Sequence, residues 1–80
     1  MSEDKALELI KITLEEIEQG LSEKVTLTAD LVADEILDSL DAMNFLFELE
    51  NKVGKKMIEF GDDFSDYRVN ALIGIIRNYI

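Results

Sequence analysis

Near the middle of this chain a serine stands among carboxylates, in the run Asp38-Ser39-Leu40-Asp41. A serine becomes a self-activated nucleophile only when a base sits beside it, and the chain contains no His at all. It contains no Cys either, so Ser, Thr, Tyr, Lys and carboxylates are what remains for chemistry, and disulfides and thiolate metal ligands are excluded. Ser39 is thus a hydroxyl that another protein must activate, and no enzymatic activity is expected of the chain. By itself the tetrapeptide is an ordinary helix start. Asp38 or Ser39 can accept from the free N–H groups of a first turn, and Asp41 within that turn complements the helix dipole.

A second acidic grouping, Asp30, Asp34 and Asp38, raises the question of a cation. A calcium loop of the EF-hand type needs oxygen ligands at alternate positions, a central Gly and a closing Glu, and no window here supplies that set. No metal site is expected.

These residues must be positioned by helices. From Leu7 the apolar residues fall at Leu7, Ile10, Leu14, Ile17 and Leu21, three and four apart, which predicts a helix from about Glu3 to Gln19 stopped by Gly20. Residues 21 to 37 keep neither a helical nor a strand period and are read as a long ordered loop. Its Val25, Leu27, Leu31, Val32, Ile36 and Leu37 are expected to pack across helices. A second helix starts at Asp38-Ser39 and ends near Val53, with Gly54 as its stop. Residues 55 to 60 read as irregular, and Gly61 to Asp66 as one helical turn at most. A last helix, about Tyr67 to Tyr79, carries Val69, Leu72, Ile73, Ile76 and Ile80 on one face. With no Pro and no strand-like alternation, the class is all-α: three main helices and a short fourth, in a single domain spanning residues 1 to 80.

On the wheel of the second helix, with Ser39 at zero and about 100 degrees per residue, three sectors separate. Asp41, Asn44, Glu48, Asn51 and Lys52 form the solvent face. Ala42, Phe45, Leu46, Leu49 and Val53 form an unbroken apolar stripe, the expected core. Leu40, Met43 and Phe47 lie on a flank at about 40 to 100 degrees, next to Ser39 and Glu50. That flank either packs beneath the long loop, with Glu50 reaching past it to water, or meets an apolar patch ringed by Lys and Arg on a partner.

The charge favours basic partners. Eighteen Asp and Glu against eight Lys and Arg give a formal net charge of −10, which repels nucleic acid and anionic membranes. The N-terminal residues lack a signal peptide's basic and apolar segments, and no apolar run approaches a membrane span. A cytoplasmic monomer is the expectation.

An acidic chain of 80 residues, with a helix, a long loop and then Asp38-Ser39-Leu40 opening an amphipathic helix, resembles the acyl carrier protein family over essentially its whole length. The resemblance implies a small four-helix bundle and a phosphopantetheine group joined to Ser39 by a phosphodiester, holding acyl groups as thioesters sheltered between helices. It implies that Asp38 helps a metal ion in the phosphopantetheinyl transferase reaction. It also implies docking of acyl-loading and acyl-processing enzymes along the second helix, through Leu40, Asp41, Met43, Asn44, Phe47, Glu48 and Glu50. A phosphate at a helix N-terminus is favoured by free N–H groups and the dipole, although Asp38 and Asp41 oppose it.

Two departures point away from housekeeping fatty acid synthesis. Ile36-Leu37 precede the motif where many fatty acid carriers have Gly-Ala, and Asn44 and Asn51 stand where those carriers often have Glu. The expectation is a carrier of fatty acyl, polyketide-like or related intermediates. The alternatives are an aminoacyl carrier of the D-alanyl or peptidyl type, and an unmodified helical interaction subunit.

Overall fold

The computed structural model describes residues 2–61 and 64–80, and among them the regular elements are helices. Helix α1 spans Ser2–Ile17, a 3₁₀ helix spans Leu21–Lys24, α2 spans Ser39–Val53 and α3 spans Val69–Ile76. The all-α class is borne out. The 3₁₀ helix lies directly after α1, within the segment 21 to 37 expected to be loop throughout. The helical turn expected over residues 61 to 66 includes Asp62 and Asp63, which lie outside the described residues.

The core forms where the three helices meet. Ala6, Ile10 and Leu14 of α1, Phe45 and Leu49 of α2, and Leu72 and Ile76 of α3 are almost wholly withdrawn from water. Thr13 is buried among them, and its hydroxyl donates to the Leu9 carbonyl at 2.7 Å, so its polarity is satisfied within its own helix. Lys52 pairs with Glu16, tying the C-terminal turn of α2 to α1.

Gly54 stops α2 as the sequence predicts, whereas Gly20 takes the expected left-handed conformation but opens the 3₁₀ helix, α1 having ended at Ile17. Both have positive φ, 94° and 80°, a conformation that strains any residue bearing a Cβ. At Gly54 the N–H closes α2 by donating to the Glu50 carbonyl at 2.9 Å. At Gly20 the chain turns into the 3₁₀ helix, whose free N–H groups are met from outside. The Glu15 carboxylate accepts from Gly20 N–H at 3.0 and 3.1 Å and from Ser22 N–H at 2.9 Å.

Hydrogen bonds from Ser22, and then from Gly20, hold the Glu15 carboxyl below its ordinary range. A lowered folded pKa means that Glu15 stabilises the fold above the unfolded value and that this contribution fades as pH falls through the folded one. Glu15→Gln is therefore expected to melt below the parent at neutral pH, the gap closing in acid; parallel melting curves across the carboxylate range would contradict it.

The long loop is ordered, and its order comes from a two-residue bridge. Leu31 N–H donates to the Tyr67 carbonyl and Val69 N–H to the Ala29 carbonyl, each at 2.9 Å, clipping Asp30 antiparallel to Arg68. This pairing also corrects the predicted start of the last helix. Tyr67 and Arg68 are needed extended for the bridge, so α3 begins at Val69. It ends at Ile76, where Asn78 and Tyr79 tighten onto the carbonyls three residues back, and Ile80 stays 42% exposed instead of joining the core.

Leu21, Val25, Ala29, Leu31 and Leu37 supply the loop's core contacts. Leu27 and Val32, expected inside, are exposed. A turn closed by Ala29 N–H on the Thr26 carbonyl puts Leu27 at its corner, and Val32 opens the turn capped by Asp30.

Candidate functional site

The segment leading to Ser39 is built by its own acids. Asp30 Oδ1 accepts from Val32 and Ala33 N–H at 3.0 and 2.9 Å, while Asp34 Oδ2 accepts from Asp30 N–H at 3.0 Å. This reciprocal pattern works as a capping box does, each carboxylate serving the other's turn. It gives Asp30 and Asp34 backbone partners, and no cluster of three or more metal-ligating side chains occurs among the described residues. Glu35 follows with a φ of 60°, a conformation uncommon outside Gly, and reverses the chain so that Leu37 enters the core and Asp38 leaves it.

Asp38 is the N-cap of α2, its Oδ1 accepting from Asp41 N–H at 2.7 Å. Ala42 N–H is taken by the Asp38 carbonyl at 2.9 Å. Ser39 and Leu40 therefore keep their N–H groups without a partner among the described residues. The Ser39 side chain is exposed and its hydroxyl makes no hydrogen bond to another described residue. A hydroxyl at the open end of a helix, with two free N–H donors beside it, fits a covalently attached phosphate group.

The flank predicted on the helical wheel faces solvent and does not lie beneath the loop. Leu40 and Met43 are each 67% exposed and Phe47 61%, against 0% for Phe45 and Leu49 on the other side of the same helix. Asp41 and Glu48 are half-buried and Asn44 is exposed; on the wheel they lie away from the flank. Ser39, Leu40, Met43 and Phe47 thus share one side of α2.

Beside that side lies a cleft of about 350 Å³, lined by Met43, Leu46, Phe47 and Glu50 of α2 and by Phe60, Gly61, Phe64 and Tyr67 from the segment that follows. Sequence reasoning missed its far wall. The aromatics at 60, 64 and 67 form a ladder of edge-to-face contacts, with ring centroids 4.9 Å apart for Phe60–Phe64 and 5.5 Å for Phe64–Tyr67. Their four- and three-residue spacing was the available signal. Tyr67 is largely buried, and the loss of water around it raises the pKa of its hydroxyl.

Glu50 has a second duty unforeseen in the sequence. Its Oε2 accepts from Met57 N–H at 2.8 Å, so the carboxylate holds the segment after α2 against the helix. Met57 is wholly buried as a result, while Ile58, at the corner of the turn that Phe60 N–H closes on the Met57 carbonyl, is 83% exposed. A second hollow, of about 480 Å³, is bordered by Phe47, Glu50, Asn51, Gly54, Lys55 and Lys56.

Compared with known proteins, the chain matches no family model, no curated protein and no solved structure. No helix among the described residues is long and apolar enough to cross a membrane.

Proposed function

We propose that this protein is a carrier of the acyl carrier protein type, a small helical bundle in which Ser39 bears a phosphopantetheine arm. The observation that carries the reading is the coincidence on one side of α2 of a free serine hydroxyl at the helix start, an exposed apolar flank and a cleft beside it. Among the described residues no base bonds to the Ser39 hydroxyl, and on this reading the group is installed by a phosphopantetheinyl transferase. Ser39 Oγ attacks the β-phosphorus of coenzyme A, the bond to the adenosine bisphosphate breaks, and the hydroxyl proton leaves to a base of the transferase. Asp38 uses Oδ1 for its cap, and its other oxygen would be open to a magnesium ion brought by the transferase, which would supply charge neutralisation for the phosphoryl transfer.

The arm supplies a thiol on which acyl groups are carried as thioesters. The chain's own part is to present Ser39, to offer the cleft to the cargo, and to dock enzymes. Leu40, Met43 and Phe47 supply apolar contact, and carboxylates elsewhere on α2, Asp41 and Glu48 on the neighbouring face, attract basic patches on enzymes that load and process the cargo. The acidic surface is unsuited to nucleic acid, and the reading is of a cytoplasmic monomer.

Incubated with a phosphopantetheinyl transferase, coenzyme A and magnesium, the protein is expected to gain the mass of one phosphopantetheine group, and Ser39→Ala to gain none. Equal labelling of the two would overturn the assignment.

A further inference from the structure

We propose that the exposed flank of α2 is read at both ends by the enzymes that dock on it, the transferase included, and that Lys55 and Lys56 receive a carboxylate of the partner at the end remote from Ser39. This rests on the carrier reading of Ser39 and adds a feature of the partner: an acidic group set apart from the basic patch that the rest of the surface attracts.

The sequence separates charge along this part of the molecule. From residue 25 to residue 51 every charged side chain is acidic, and Asp34, Glu35, Asp38 and Asp41 crowd the end where Ser39 stands. The sign then changes, with Lys52, Lys55 and Lys56 following at once. Lys52 is taken by Glu16, in the pair that ties α2 to α1. Lys55 and Lys56 are exposed, and neither forms an ion pair with another described residue. Lys55 reaches the Tyr79 carbonyl at 3.5 Å, a neutral acceptor that leaves the charge in place.

These two lysines border the hollow of about 480 Å³ that also takes in Phe47, Glu50, Asn51 and Gly54. Phe47 is 61% exposed and ends the apolar flank, so the hollow continues the flank. Among the described residues that border it, one carboxylate, Glu50, stands against two ammonium groups, and a positive charge is left over for a ligand. A Glu or Asp of a partner fits this composition. Its methylene stem gains by lying on the Phe47 ring, and its carboxylate accepts charge-assisted hydrogen bonds from the lysines. A basic side chain placed there meets like charge.

The span suits a single partner. α2 has 15 residues, or about 22 Å of rise. A standard interface of about 800 Å² on each side is roughly 30 Å across, so an enzyme centred on Met43 and Phe47 covers both ends of the helix. With a cation drawn to the Ser39 end and an anion to the lysine end, the enzyme has one favourable orientation, and like charges meet when it is reversed. Orientation matters on this helix because the serine stands at one end only.

The test measures modification of Ser39 by the phosphopantetheinyl transferase of the same organism, as KM and kcat for the carrier. Lys55→Glu with Lys56→Glu is compared with Lys5→Glu with Lys11→Glu, exposed positions on α1 that change the net charge equally. Long-range attraction to a basic enzyme responds alike to the two pairs, whereas a carboxylate in contact responds to the first alone. KM is expected to rise about tenfold for the pair at 55 and 56 and to stay within about twofold of the parent for the pair at 5 and 11, with kcat held in both. Lys55→Gln with Lys56→Gln keeps hydrogen-bond donors and removes the charge; it is expected to raise KM about threefold, and it replaces the reversed pair if melting curves show that pair unfolded. Should the substitutions at 55 and 56 leave KM unchanged or lower it, or should those at 5 and 11 raise it equally, the proposal is wrong and the carrier reading stands. If the parent chain is not modified by that transferase at all, the carrier reading fails and this proposal fails with it.

Discussion

Phe47→Ser is expected to leave the melting temperature almost unchanged, whereas Leu49→Ser, two residues further along the same helix, is expected to unfold the protein or lower its melting temperature by more than about 15 °C. Leu49 is fully buried, and emptying its place removes about 3–5 kcal/mol, with a buried hydroxyl added to the loss. A domain of this size holds roughly 4–12 kcal/mol in all. Phe47 is 61% exposed, so its replacement costs under about 1 kcal/mol. On the carrier reading proposed above, transfer to and from partner enzymes is nevertheless expected to fall in Phe47→Ser, since docking would withdraw the exposed ring from water. Thermal melts paired with a loading assay decide the matter: equal destabilisation would make the flank part of the core, and undiminished transfer would remove it from the recognition surface.

A second contrast lies in the segment after α2. Met57→Ala is expected to destabilise by about 2–5 kcal/mol, while Ile58→Ser stays within about 0.5 kcal/mol of the parent. Met57 is wholly buried and Ile58 is 83% exposed, although the two are adjacent and comparably apolar. Denaturant titration of each variant measures the difference. A large loss on replacing Ile58 would mean that its side chain packs against the fold, contrary to the structure.

That contrast marks what the sequence made legible and what it hid. Helices α1 and α2, their glycine stops and the three sectors of the α2 wheel follow from periodicity, because a helix repeats its environment every three or four residues. The place of Ser39 at the start of α2 could be read for the same reason, since it opens the most regular segment. The clip between Asp30 and Arg68 left no such trace: it is made by backbone groups, which every residue carries, and it joins segments far apart in the chain. Missing it misplaced the start of α3. Glu50's bond to Met57 and the aromatic wall were hidden likewise, because they depend on how an irregular segment folds back across the helix. Exposure at Leu27 and Val32 went unread because apolar character says where a side chain gains by lying, and the turn geometry decided otherwise.

The clip also bears on the order in which the molecule is made. Its partners enclose the whole of α2, so the entropy of closing that loop must be met before the two hydrogen bonds form. A nascent chain that has emerged as far as α2 already displays Ser39, but without residues 67 to 69 it lacks the edge against which the preceding segment is set. The segment before Ser39 would then take its folded form only once residues 67 to 69 have left the ribosome.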